Sequence, residues 1–304
     1  MFAYGTRVLG AVALLAGFSA IFSADLKAGN RGARTGPVRI GLIATLFSDM
    51  PEPIVMAMMQ PFGALMEEQT GVSGELVACG DAEDLGQQLT EDKVQLGVFH
   101  GIEFGWARQK HPELRPLVIA VNQQRSLHAH LVVRTDSKVD NLGDLQGKVL
   151  ALPNQTREHC RMFLRRRCQE WKKEPANFFS KITNPANVED ALDDVVDGAV
   201  QVCVVDAVAL DCYKRRKPGR FTKLKILHSS EAFPAAVVVF RPGILEQATL
   251  KRFREGMLSA NRTVVGRQLM TLWKLTGFEA VPSDYDRTLT EIVKAYPAPA
   301  PSGK

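Results

Sequence analysis

Short apolar runs recur along the chain, separated by stretches in which apolar residues return every third or fourth position. Residues 38–44, 75–78, 96–99 and 114–121 read as strands, with helices over 52–69, 81–90 and a segment ending at Lys110. Strands with little polar alternation, each followed by a helical period, predict a mostly parallel sheet covered on both faces. The run 127–134 breaks this rhythm and ends in the polar turn Thr135-Asp136-Ser137. The alternation then starts afresh. A short helix at 141–145 leads to a strand at 149–152, a helix at 156–171 and a strand at 179–182. A helix at 188–197 follows, then strands at 200–205 and 224–227. After a second long apolar run, 235–241, only helices are expected, at 245–260, 263–276 and 285–296.

Two α/β series joined by two long apolar runs predict an α/β protein of two lobes, with the chain crossing between them twice. Lobe 1 takes residues 38–127 plus 236–296, and lobe 2 takes 128–235. The Pro/Ala-rich end, 297–304, is expected to be a disordered tail. A ligand would bind in the cleft, at the C-terminal ends of the strands of both sheets.

At 304 residues, 45% hydrophobic and 23% charged, the chain can support two cores. Arg7, the apolar stretch 8–22 and the polar Asp25 and Lys27 have the layout of a secretory signal peptide over residues 1–28. Cleavage and retention as an anchor both remain open, and either places the protein outside the cytoplasm. Five cysteines in an exported protein would ordinarily suggest disulfides. Here Cys160 and Cys168 share the core side of one helix, about 12 Å apart by helix rise, too far to bridge. Cys203 lies in an apolar strand and Cys79 near a strand end, so packed thiols are expected. No Cys-x-x-Cys occurs and the six histidines are not spaced as ligands, so no metal or cofactor is expected. The net charge of +5 is concentrated in 165–167 with Lys172 and Lys173, and in 214–217. Neither run interleaves aromatic residues on its charged face, Trp171 being read on the apolar side of its helix. Solvated surfaces are expected there, not a nucleic-acid face.

The strongest chemical signal follows the strand at 149–152. Pro153 ends it, and Asn154 or Thr156 can cap the next helix. The first turn of a helix has unpaired N–H groups and the positive end of the dipole. Asn154, Gln155, Thr156 and Arg157 add amide, hydroxyl and guanidinium donors, together a cradle for a small oxyanion. His159 stands one turn in. Other strand ends contribute Phe47, Ser48 and Asp49, then His100, Asn184 and Asp206. Each of these also reads, alone, as an ordinary loop or capping residue.

Three stretches carry a resemblance that spans residues 38–296. One runs from Val132-Val133-Arg134-Thr135-Asp136-Ser137 through Leu142, Asp144-Leu145, Gly147-Lys148 and Leu150-Ala151-Leu152. The others are 93–100, and 273–286 with Gly277-Phe278 and Asp284-Tyr285-Asp286. The chain resembles the class II extracytoplasmic solute-binding proteins, and among them the phosphate/phosphite/phosphonate group that serves ABC transporters. That resemblance implies a two-lobed, type II periplasmic-binding fold with two crossover strands. It also implies an oxyanion held at the helix start, usually by a Ser-Thr-Ser-Gly run. Here the positions read Gln155-Thr156-Arg157-Glu158, with only the threonine retained. His159 stands where an aromatic residue is common. The expected function is capture of a small anionic solute, by a monomer, for delivery to a membrane permease. Two alternatives remain: a lyase-like enzyme acting on a small carboxylate, with His100, His159 and Asp206 as acid/base groups, and a ligand sensor for a membrane receptor.

Overall fold

The computed structural model describes residues 36–47, 55, 59, 61–154, 156–273 and 275–299. The expected leader at 1–28, Ser48, Asp49, Gln155 and the end of the tail lie outside the described residues. Among the described residues no helix is long and apolar enough to cross a membrane.

Lobe 1 is built on six strands in the order β2 (Gly74–Ala78), β1 (Val38–Leu42), β3 (Leu96–Phe99), β12 (Ala236–Phe240), β4 (Arg115–Val121) and β13 (Gly277–Glu279). β1 pairs in parallel with β2 and β3, because a helix returns the chain between successive strands. β12 arrives from the other lobe and runs antiparallel to both β3 and β4. The sheet is therefore parallel on one side and antiparallel on the other. Helices α2 (Ala82–Thr90), α3 (Gly101–Lys110) and α11 (Tyr285–Ala295) cover one face through Leu85, Leu89, Phe104 and Leu289. Helices α1 (Phe62–Thr70), α9 (Gln247–Ser259) and α10 (Val264–Leu272) cover the other through Phe62, Met66, Phe253, Met257 and Leu269.

Lobe 2 has five strands in the order β10 (Leu224–Ser229), β6 (Ala129–Arg134), β9 (Val202–Asp206), β7 (Val149–Ala151) and β8 (Lys181–Thr183). β7 is parallel to β8 and β9, while β6 is antiparallel to β9 and β10. One face is covered by α4 (Glu158–Gln169) and α5 (Pro175–Phe178), which bury Cys160, Phe163, Cys168 and Phe178. The other is covered by α6 (Val188–Asp197) and α7 (Ala207–Arg216), through Leu192, Val195, Leu210 and Tyr213, with α8 (Pro218–Phe221) beyond. Asn187 caps α6 by accepting from the Asp190 N–H at 2.9 Å, and Gly198, at φ +80°, ends it. All five cysteines are free thiols; Cys212, on α7, is the one that is not fully buried.

The chain crosses between lobes in a short antiparallel ribbon, where β5 (Ser126–Leu127) pairs with β11 (Phe233–Pro234). The long apolar runs expected to cross instead lie mostly inside the sheets, as β6 and β12. The break comes at His128, whose carbonyl accepts from the Ala207 N–H at 2.9 Å. Two further details depart from the sequence expectation. The C-terminal part is not all helical, since Gly277–Glu279 adds an edge strand beside β4. The basic run 214–217 is not merely solvated. It closes α7, where Lys217 Nζ meets Asp193 at 2.6 Å and Glu189 at 2.9 Å. Arg220 then adds contacts to Asp193 and Asp197 at 2.6 and 2.7 Å.

Candidate functional site

The lobe 2 wall of the cleft begins where β7 ends. Pro153 stops the strand, and the following loop is tied down by backbone bonds. The Asn154 N–H donates to the Pro185 carbonyl at 3.0 Å. Arg161, one turn into α4, donates to the carbonyls of Thr156 at 3.1 Å and Asn154 at 3.3 Å. Thr156 is buried and its hydroxyl donates to the Pro153 carbonyl at 2.6 Å. Neither Asn154 nor Thr156 caps the helix. Arg157 occupies the cap position and provides no side-chain cap. The Cys160 N–H donates to the Arg157 carbonyl at 3.0 Å, which leaves the N–H groups of Glu158 and His159 in the first turn for another acceptor.

Asp206 organises this wall. It is the last residue of β9 and the cap of α7, and it is only 6% exposed. One carboxylate oxygen accepts from the N–H groups of Val208 at 3.0 Å and Ala209 at 3.3 Å. The other meets His159 Nε2 at 3.1 Å and Arg157 Nη1 at 3.5 Å. Burial opposes its ionisation, but His159, Arg157 and the backbone donors outweigh burial and hold the carboxyl below its usual range. His159 is itself buried, its ring 5.6 Å from that of Phe233 in the crossing ribbon. Arg157 is different: its side chain is 40% exposed, so only part of its charge is committed to Asp206.

The lobe 1 wall is formed by the loops after β1 and β3. His100 precedes α3 and bonds to the backbone of Thr45. Burial keeps its ring neutral, lowering its pKa to about 4, and the charges of His159 and Arg157 act in the same direction. That coupling puts His100 within electrostatic reach of the opposite wall. Thr45 Oγ1 lies 3.0 and 2.8 Å from the two carboxyl oxygens of Glu103, in the first turn of α3. Burial raises Glu103 to about 7 against the Thr45 bond, and the nearby charges of Glu158 and Asp81 add to the rise. His128 and His130 border the crossing, and burial lowers both. Among the described residues, no three or more His, Cys, Asp or Glu are placed to hold a metal ion.

The structure gathers Arg157, His159 and Asp206 in one cluster, with His100 across from it and Asn154 and Thr156 in the supporting loop. Two other sequence candidates have different roles. Phe47 packs on Trp273 in the lobe 1 core, ring centroids 5.9 Å apart. Asn184 is exposed and its amide donates to the Leu152 carbonyl at 3.0 Å, joining the β7 and β8 loops. Sequence reasoning missed Thr45 and Glu103, which are 58 residues apart and meet only through the sheet. It also missed a cluster behind the ribbon. Glu231 accepts from Tyr296 at 2.6 Å and from Arg166 at 2.7 Å, while Arg166 lies over the Tyr296 ring at 4.7 Å. Trp106 Nε1 donates to the Tyr296 carbonyl at 2.9 Å, so α3, α4 and α11 meet at this point.

Known proteins agree with this architecture. A Xanthomonas citri protein bound to ATP superposes with a TM-score of 0.54 at 20% identity, covering 85% of this chain and 96% of its own. The binding component of a Pseudomonas aeruginosa ABC phosphonate transporter gives 0.51 at 17% identity, covering 85% of each chain. A Prochlorococcus marinus protein in complex with methylphosphonate gives 0.51 at 13% identity, covering 84% and 97%. At these identities the likeness concerns the fold, a type II periplasmic-binding architecture. No curated protein sequence matches significantly. The family described as the periplasmic substrate-binding protein of the ABC phosphonate transporter matches residues 45–285. With that match over most of its length, the chain belongs to the periplasmic substrate-binding family of ABC phosphonate transporters.

Proposed function

We propose that the protein captures a small oxyanion of the phosphonate class in the cleft between its lobes and delivers it, as a monomer outside the cytoplasm, to a membrane permease. The observation that carries this reading is the start of α4. There a half-exposed Arg157 and an uncapped helix N-terminus stand beside the His159–Asp206 pair, with His100 of the other lobe in electrostatic reach. A guanidinium and first-turn N–H groups suit a tetrahedral oxyanion. Asp206 fixes the cluster, so little reorganisation is needed on binding.

Binding without turnover fits the same residues. The thiol nearest His159 is Cys160, with Sγ 3.5 Å from Nε2, but it is buried and its pKa is pushed well up, mainly by burial. A protonated, inaccessible thiol is a poor nucleophile. Calorimetric titration of the full chain with methylphosphonate tests the proposal. Saturable binding that weakens at least about tenfold in Arg157→Ala, the scale of one charge-assisted contact, is expected. Equal binding by both proteins would place the ligand elsewhere.

A further inference from the structure

Glu103 is a puzzling residue for an oxyanion site. It lies at the C-terminal edge of the lobe 1 sheet, four residues past the end of β3, where ligands of open α/β sheets bind. It is only 4% exposed. The charged groups acting on it, Glu158 from the start of α4 in the opposite lobe and Asp81 from the cap of α2, are both acidic. Both of its oxygens lie within hydrogen-bond distance of one hydroxyl, Thr45 Oγ1. A hydroxyl has a single hydrogen, so it can donate to only one of them. The second contact is satisfied when the carboxyl itself carries a proton and donates it to Thr45; released from that bond, the same proton can turn toward a ligand. An ionised Glu103 would repel an anion brought to the cleft, whereas a neutral one can donate to it.

We propose that Glu103 is a specificity-determining residue that shares one proton with the bound oxyanion. The cleft would then favour ligands that bring an acidic O–H, such as a phosphonate or phosphate monoanion, over those that bring none, such as a sulfonate. This deepens the oxyanion reading above and rests on it. A phosphonate monoanion donates its own proton to the Glu103 carboxylate. A sulfonate can only accept, so Glu103 must first take a proton from solvent. Its carboxyl titrates near 7, which puts this requirement within the working pH range.

The test compares methylphosphonate with methanesulfonate on the full chain, by calorimetry in two buffers of different ionisation heat, which reads the protons taken up. At about pH 8, wild-type protein should take up close to one proton per sulfonate bound, and sulfonate affinity should fall about tenfold per pH unit above 7. In Glu103→Gln the amide donates to either ligand, so the proton uptake and its pH dependence should vanish. The count is read on wild-type protein and does not depend on the variant folding. Equal affinity for both ligands at about pH 8 with no proton uptake would overturn the proposal while leaving the oxyanion site standing. Binding of neither ligand by wild-type protein would overturn the oxyanion reading, and this proposal with it.

Discussion

The two walls of the cleft solve the same electrostatic problem in opposite ways. On the lobe 2 wall, Asp206 is buried yet ionised, because His159, Arg157 and two backbone N–H groups surround it. On the lobe 1 wall, Glu103 is buried beside a hydroxyl and two like charges, and it is driven toward its neutral form. His100, next to it, is also kept neutral by burial. One wall therefore offers fixed charge, and the other offers groups that can gain or lose a proton. Similar residue types give opposite results because partners, not burial alone, decide the charge state.

The largest effect should come from breaking the fixed-charge wall. Asp206→Ala removes the cap of α7 and leaves His159 buried without its partner, a loss of about 3–5 kcal/mol by denaturant unfolding. Asp206→Asn retains an acceptor for the cap and should lose clearly less. Equal losses would mean that the cap contributes nothing and that the lost charge accounts for the whole effect.

The neutral wall should show itself in pH dependence. Glu103 titrates near 7 when folded, above its ordinary 4.5, so the folded state binds more protons in that window and stability falls as pH rises through it. His100, lowered to about 4 from 6.5, works in the opposite sense, with stability falling as pH drops from 6.5 toward 4. Glu103→Gln removes the first slope, raising stability above about pH 7 by up to about 3 kcal/mol. The variant should keep the acid-side loss due to His100. The two windows overlap between about pH 4.5 and 6.5, where the slopes oppose each other in the wild-type protein, so unfolding curves of Glu103→Gln should unmask the His100 slope; a Glu103→Gln curve parallel to wild type would show that Glu103 does not titrate there.

Smaller effects concern the joint between the walls. A Cβ at Gly101 would sit 2.5 and 2.6 Å from the backbone oxygens of Pro234 and Ala235. Neither oxygen can move without disturbing the ribbon. Gly101→Ala should thus cost about 2 kcal/mol in thermal or denaturant unfolding, and no change would mean the ribbon yields freely. Tyr296→Phe removes only the hydroxyl bonded to Glu231, for about 1 kcal/mol. A second substitution at Arg166 would show whether the two contacts to Glu231 are coupled.

The contrast between the walls was only half legible in the sequence. Arg157, His159, His100 and Asp206 stand at strand ends or helix starts, where an α/β pattern announces a site. Glu103 lies in Gly-Ile-Glu-Phe-Gly, two residues into a helix, where an acidic residue ordinarily reads as favouring the dipole. Its burial depends on Thr45, far away in sequence. The same limit affected the fold. The alternation of strands and helices was readable, but Gly277–Glu279 is too short and polar to register as a strand. In α7 the basic run disguised a helix whose inner side carries Leu210 and Tyr213. The capping expectation failed because Thr156 bonds to Pro153 just upstream, a local choice that spacing does not reveal.

The most direct test of a ligand held between the two walls is a double-mutant cycle with His100→Ala and Arg157→Ala, read by titration calorimetry with methylphosphonate. Each single variant should lose about tenfold or more in affinity, one from each lobe. The double variant should lose less than the sum, since a ligand released by one wall no longer closes the lobes onto the other. Full affinity in either single variant would mean that its wall does not touch the ligand, and would contradict binding between the lobes.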